Sequence, residues 1–361
     1  GRILAEDILA QRDFPPFDRS TKDGIAISFS AWEKGQRIFK IEDIAAAGQP
    51  QKTLSSEQLC MEIMTGAVIP DNTDTVIMYE EIEIENGEAT ISSNPNKGQN
   101  IHRKGTDQKQ GNLLLPRGHN ITTSSVSILA TEGIHEPKVK QLPSVAILTT
   151  GTELVDINET PNSYQIRRSN SYTLQALLKQ LHIRSNLYHE SDDKQLIKEK
   201  VQELLENYDV LLMSGGVSMG KYDFLPEVLE NLGVNQIFHK VAQRPGKPFW
   251  FGTYKSKTIF SFPGNPVSTY VNFHIYFKPW LAKCLGVNIK EEFVTIDEEV
   301  ESNQLTRFRL VKFKGEDETV AELISSSGSG DLVSLVLASG VVEIPSNTTL
   351  PAGSKLKFIR F

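Results

Sequence analysis

At 361 residues the chain exceeds what one hydrophobic core usually serves, so two to four domains are expected, and its 39% hydrophobic residues are ample to fill them. A net charge of −7, with Lys and Arg interspersed among the acids, gives no basis for binding nucleic acid or an anionic membrane, so any anion site must be local. Cys60 and Cys284 lack C-x-x-C spacing, which argues against a disulfide framework or a zinc site and fits a reducing cytoplasm; no apolar run reaches the ~20 residues that span a bilayer, and no signal-peptide pattern opens the chain.

The chain starts at Gly1 directly in a run that reads as a strand, Arg2 to Leu9, as though a helix preceded it in a longer protein. Phe14-Pro-Pro-Phe-Asp-Arg-Ser-Thr-Lys-Asp-Gly24 follows, and its two prolines and Asp-Gly pair predict a rigid loop ending on Asp23. From Ile25 to about Gln99, short β-rich runs (Ile38 to Ile41, Thr75 to Met78, Ala89 to Ser92) alternate with Gly, Pro and Asn, which predicts a small β domain. Within it, Thr65-Gly66 interrupts the apolar segment Glu62 to Pro70, as where a strand must turn or touch something. His102, Arg103 and Lys104 lie in a polar loop, and Thr122 to Gly133 reads as a capped helix ending on glycine.

From Ser144 to about Gly286, strands alternate with helices, the signature of a parallel sheet. Val145 to Thr149, Ile183 to Tyr188 and Val210 to Met213 are the predicted strands; Ser169-Asn170 and Ser191-Asp192-Asp193 are the predicted caps of helices running to Leu181 and about Asn207. The third strand, without alternation, breaks into Ser214-Gly-Gly-Val-Ser-Met-Gly-Lys-Tyr-Asp223 before a helix from Phe224 to Leu232. Glycines there let backbone N–H groups converge on an anion, although the spacing is neither a dinucleotide fingerprint nor a P-loop. Glu153, Asp192, the glycine loop and Asp223 therefore share the C-terminal edge of the sheet, where open α/β folds bind ligands. Arg244-Pro-Gly-Lys-Pro248 and Phe262-Pro-Gly-Asn-Pro-Val-Ser268 add two preset loops at that edge. A helix from Val267 to Leu285 closes the domain. Runs Glu292 to Val300, Thr306 to Phe313, Val320 to Ile324, Val341 to Ile344 and Leu356 to Ile359 then predict a small all-β domain, with Ser325 to Asp331 as a loop.

Taken together, Ser20-x-x-Asp-Gly-x-Ala26, Met64-Thr-Gly-Ala67, Thr150-Gly-x-Glu-Leu154, Ser214-Gly-Gly-Val-Ser218 with Asp223, Pro245-Gly-Lys-Pro248 and Pro263-Gly-Asn-Pro-Val-Ser268 resemble the molybdopterin molybdenumtransferase family, the MoeA type related to the E domain of gephyrin. The resemblance implies a multidomain α/β plus β fold. Its parts would be an elongated linking domain in two segments (1–24 and 108–140), an inserted small β domain (25–107), a molybdopterin-binding α/β domain with a parallel-sheet core (141–286) and a C-terminal β-barrel (287–361). It also implies insertion of molybdate into adenylylated molybdopterin with release of AMP, Mg²⁺ as cofactor, a homodimer with a shared active site, and contact with the molybdopterin adenylyltransferase.

Carried over by motif, Asp23, Thr65, Glu153, Asp192, Asp223 and Lys247 take catalytic positions, Asp23 and Thr65 reaching the cleft from the partner subunit. Ser214, Gly215, Gly216, Ser218, Pro263, Gly264, Asn265 and Ser268 bind the pterin substrate. Glu153, Asp192 and Asp223 offer the hard oxygen ligands that Mg²⁺ requires beside phosphates. Arg244, Lys247, Pro248, Arg309 and Ser329 surround molybdate. The chain departs from the pattern at Thr152, where an Asp is usual, and at Ser339, where an Asn commonly precedes Gly. A gephyrin-like non-catalytic scaffold would show loss of the acidic cluster, and a molybdopterin adenylyltransferase would lack the extra β domains; here the cluster and the β domains are both present in the sequence.

Overall fold

Six consecutive residues, Val145–Thr150, are all buried, as a strand covered on both faces requires. This computed structural model describes residues 1–217, 224–316 and 318–361. The Val145–Thr150 strand pairs in parallel with Ser185–Glu190 on one side and Val210–Ser214 on the other, and Lys257–Phe262 continues the parallel set. Trp250–Tyr254 and Asn235–His239 then extend the sheet antiparallel. Alternate residues divide between two cores: Ala146, Leu148, Leu211 and Met213 pack with helices Lys194–Asn207 and Leu225–Asn231, whereas Val145, Ile147, Val210 and Leu212 pack with Ser169–Gln180 and the aromatic Phe260, Phe273 and Phe277. Each such side chain contributes roughly 1.5–3 kcal/mol on burial, so two full layers hold the strand ends rigidly in register.

Several predicted elements differ. The Ile183 to Tyr188 run forms its strand two residues later, at Ser185–Glu190, because register with Val145 begins at Ser185. The Arg2 to Leu9 run has a strand only at Ile8–Leu9, paired with Leu115 and Leu113. The Val267 to Leu285 helix is three segments, Pro266–Asn272, a wider π turn at Phe273–Phe277, and Lys278–Leu285; Pro279 has no N–H to return to the preceding turn. Glu292 to Val300 is broken by Asp297 to Glu299 into Glu292–Ile296 and Val300–Ser302, which belong to different sheets. Asn170 is not a cap: Arg168 occupies that position, with no side-chain cap bond. Asp193 does cap the next helix, its carboxylate accepting from Gln195 and Leu196 N–H.

The chain divides into two compact units, 4–138 and 1–3 with 139–361. In the second unit, Thr306–Phe313, Val320–Leu323, Glu292–Ile296, Ser354–Arg360 and Gly340–Ile344 pair in that order and the last closes on the first, a five-strand barrel around Val294, Ile296, Val311, Val342 and Phe358. Gln243–Arg244 joins its outside, Arg244 opposite Arg307. In the first unit, six strands order as Thr75–Met78, Gly24–Ile27, Leu59–Ile63, Ile38–Ala45, Glu88–Ile91 and Ile82–Glu85. Ile25 and Ile27 point into one core and Ala26 into the other, the period of two expected of a strand. The Thr123–Thr131 helix forms with Thr122 and Ser125 in a reciprocal capping box.

Candidate functional site

In the 4–138 unit, Asp23 and Thr65 meet. The Asp23 carboxylate accepts the Thr65 backbone N–H at 2.6 Å, and this bond, with a second from the Thr65 side chain, holds the carboxyl below its usual range. The interruption at Thr65-Gly66 is thus a turn laid against the Asp23 loop: Gly66 has φ +85, and its N–H donates to Ser20 O at 2.9 Å. Asp23 stays exposed, a fixed anion at the surface of its unit.

In the 139–361 unit, three strand ends converge. Thr152, just past Val145–Thr150, donates its N–H to the Asp192 carboxylate at 3.0 Å, and Asp192 N–H returns to Thr152 Oγ1 at 3.2 Å. A threonine here gives Asp192 a neutral partner where an aspartate would set two carboxylates together. Glu153 follows directly, its carbonyl accepting from Ile166 N–H at 2.9 Å. Ser218 and Asp223 lie outside the described residues, and among the described residues no group of three or more His, Cys, Asp or Glu could hold a metal ion. Glu153 and Asp192 are hard oxygen donors of the kind Mg²⁺ takes, with Thr152 orienting one of them from behind.

At the next strand end, Ser214 is buried, and Gly215 and Gly216 have φ of +99 and +67. A Cβ on Gly215 would stand 2.7 Å from Thr150 O, and one on Gly216 3.0 Å from Leu225 and Thr150 Oγ1, so neither position admits a side chain without movement. Among the described residues the buried Thr150 hydroxyl has no protein partner. Asn170, from the first turn of the Ser169–Gln180 helix, donates its amide to Ser214 Oγ at 2.9 Å and to Gly264 O at 2.7 Å.

Beside these ends, a cavity of about 510 Å³ opens between the sheet and the barrel of the same unit. The first Pro-Gly loop lines it with Arg244, Lys247 and Pro248, the second with Pro263, Asn265 and Ser268; Arg309 comes from the barrel strand Thr306–Phe313, and Ser329 from the loop that follows Leu323. Gly264 is not in this wall. Arg307, two residues before Arg309, lines it too; the alternating Arg-x-Arg of a strand is the signal that finds it. Among the described residues none of Arg244, Lys247, Arg307 and Arg309 is ion-paired, and the wall contains no carboxylate.

The first loop is fixed from below by buried amides. Gln243 donates to Pro245 O at 2.9 Å and to Asn272 Oδ1 at 2.8 Å, Asn272 donates to Gly246 O at 3.2 Å, and Tyr276 donates its hydroxyl to Gln243. Burial pushes that phenol up to about 12, which keeps it a donor. Val267 N–H donates to Ser329 O at 3.0 Å, tying the serine loop to the second Pro-Gly loop. Lys247 is therefore presented by a loop whose Pro245 and Gly246 carbonyls are held by buried amides, and Arg244, Arg307 and Arg309 by strands, an arrangement suited to receiving an oxyanion.

Residues 1–133 match the family model described as MoeA N-terminal region (domain I and II), 146–283 that of a probable molybdopterin binding domain, and 296–361 that of the MoeA C-terminal region (domain IV). A molybdopterin molybdenumtransferase from Synechocystis is 39% identical over 355 residues, 96% of this chain and 89% of the relative. One from Staphylococcus aureus is 33% identical over 361 residues, 96% of this chain and 85% of the relative. Two crystal structures of the molybdopterin biosynthesis MoeA protein from Pyrococcus horikoshii superpose with TM-scores of 0.84 and 0.83, at 32% and 28% identity, each covering 100% of this chain and 91% and 92% of theirs.

Proposed function

The chain belongs to the molybdopterin molybdenumtransferase family, and from that membership we propose that it inserts molybdate into adenylylated molybdopterin, releasing AMP, in molybdenum cofactor biosynthesis. The observation that carries this reading to particular residues is a cavity beside the glycine-rich strand ends whose described wall holds no carboxylate and four cations that are not ion-paired among the described residues. Molybdate is a tetrahedral dianion whose desolvation is costly, so several fixed donors must converge to make its binding favourable. Lys247 supplies a point charge, Arg244 and Arg309 planar forks, and Ser329 a hydroxyl. Pro248 stiffens the loop that presents Lys247.

The pterin substrate lies, on this reading, along Ser214, Gly215, Gly216 and Ser218 and across Pro263, Gly264, Asn265 and Ser268. Glu153, Asp192 and Asp223 would hold Mg²⁺, which when bound would neutralise phosphate charge. The four-part division at 1–24 with 108–140, 25–107, 141–286 and 287–361 accompanies the reading, as do a cytoplasmic location and contact with the molybdopterin adenylyltransferase. Asp23 and Thr65 would serve the partner's cleft in a homodimer. Mixing an inactive Asp23→Ala variant with an inactive Asp223→Asn variant should then restore part of the activity; no recovery despite verified subunit exchange counts against a shared site.

The oxyanion assignment is tested by soaking crystals in tungstate, whose anomalous signal should fall among Arg244, Lys247, Arg309 and Ser329. Density elsewhere, or AMP release from adenylylated molybdopterin that ignores added molybdate, would overturn it.

A further inference from the structure

We propose that Asn170 is a positioning residue for the pterin substrate: its side-chain amide clamps the Ser214-Gly215-Gly216 loop to the Pro263-Gly264-Asn265 loop so that both meet the substrate in one arrangement. This rests on the reading above that these two loops bind the pterin. The need for a clamp follows from the sheet. Parallel pairing between Val210–Ser214 and Lys257–Phe262 ends at Ser214 opposite Phe262. Beyond that pair, the bonds joining the two loops among the described residues are Gly215 N–H to Phe262 O at 3.3 Å and the two made by Asn170, 2.9 Å to Ser214 Oγ and 2.7 Å to Gly264 O. The loops also approach backbone to backbone, since a Cβ on Gly264 would stand 4.0 Å from Gly215 Cα. Neither loop has a side chain at that point with which to hold the other.

Asparagine in a first helical turn ordinarily bonds to its own backbone as a cap. Asn170 does not; its two amide hydrogens match the two acceptors, one on each loop. Its own placement is secured from the Glu153 side. Arg168 N–H donates to Val155 O at 3.0 Å, the Arg168 guanidinium pairs with Asp156, and Tyr172 donates to the same carboxylate at 2.9 Å. One short helical turn thus connects the strand after Glu153 to both glycine loops.

The test compares Asn170→Ala and Asn170→Asp with the unaltered chain, measuring equilibrium binding of adenylylated molybdopterin, AMP release over a range of molybdate concentrations, and melting temperature. Aspartate keeps the shape and suits a helix N-terminus, but it cannot donate and sets a carboxylate against Gly264 O. Both variants should bind the pterin about tenfold more weakly, with the molybdate concentration for half-maximal AMP release unchanged and the Asn170→Asp melting temperature retained. Unchanged pterin affinity in both variants overturns the inference. So does a parallel fall in affinity, molybdate dependence and melting temperature, which is what a merely structural role produces. An unaltered chain that fails to bind adenylylated molybdopterin overturns the underlying reading and this inference with it, whereas tight binding by both the unaltered chain and the variants overturns this inference alone.

Discussion

Among the described residues, the cavity of about 510 Å³ over Arg244 and Lys247 and a second one of about 520 Å³ beside Lys278 each have four cationic side chains in their walls, but the first has no carboxylate and the second has Glu291, Glu292 and Glu343. In the second, Lys357 pairs with Glu291 at 2.7 Å and Arg360 with Glu292 at 3.0 Å. Of the other two, Lys290 is exposed, and Lys278 is half-buried, with burial lowering its pKa below the ordinary lysine value. Size does not separate the two sites; charge balance does. Clustered cations without counter-charges repel one another, and a fold that keeps Arg244, Lys247, Arg307 and Arg309 together needs a reason outside stability. Under the proposed function an anionic substrate would supply that reason in the first cavity, whereas the second sets carboxylates of its own against its cations.

The sharpest way to break this contrast is to remove cations one at a time and follow AMP release against molybdate. Lys247→Ala should lower release at subsaturating molybdate by about ten- to a hundredfold, the loss of a charge-assisted contact. Arg307→Leu should lower it by about three- to tenfold, because its guanidinium adds charge without the loop fixation that Gln243 and Asn272 give Lys247. The same change should raise the melting temperature slightly by relieving repulsion. Lys278→Met, in the second cavity, should leave activity within about twofold of the unaltered chain, since the group is not in the wall that holds Arg244, Lys247, Arg307 and Arg309. Equal losses from Lys247→Ala and Lys278→Met would dissolve the distinction.

Residue pattern predicts the local part of this arrangement. Val145–Thr150 and Val210–Ser214 are recognisable as buried strands because they do not alternate, and the glycine and proline motifs follow them within a few residues. What pattern does not reach are partners fixed by topology. Asn170 looks like a cap in sequence, and only the sheet brings it to Gly264, 94 residues away. Gln243 and Asn272 act through each other across 29 residues, and a buried asparagine in an apolar helix is their one sequence hint. The strands Asn235–His239, Trp250–Tyr254 and Lys257–Phe262 hide because none alternates cleanly: the first is largely exposed, and the last is continuously buried from Ile259 on. Arg307 becomes visible once Thr306–Phe313 is known to be a strand with Arg309 on the same face. The carboxylates proposed for the site depend on topology too: Asp23 meets Thr65 across 42 residues, and Asp192 meets Thr152 across 40 because their strands are neighbours.

The smallest expected effect concerns the internal balance of the second cavity and is read in stability rather than activity. His274 lies in its wall, almost fully buried, with Nδ1 donating to Tyr270 O at 3.0 Å and its ring packed against Tyr270 and Phe361 at centroid distances of 4.7 and 4.8 Å. Burial drops its pKa to about 4 from 6.5; the Tyr270 bond opposes the shift, and the nearby Lys278 charge adds to it. Between pH 6.5 and about 4 the unfolded chain therefore takes a proton that the folded chain refuses, so folding stability must fall as pH drops through that window and level off below it. The slope from this one group is at most about 1.4 kcal/mol per pH unit. His274→Phe removes the titration and suits the aromatic neighbours, so urea midpoints measured at pH 7, 6 and 5 should fall less steeply for the variant than for the unaltered chain. Parallel curves would mean that His274 accepts its proton in the folded state, through a carboxylate such as Glu343 or Glu292 turning toward it, and that the second cavity responds to charge in the way the first is built to do.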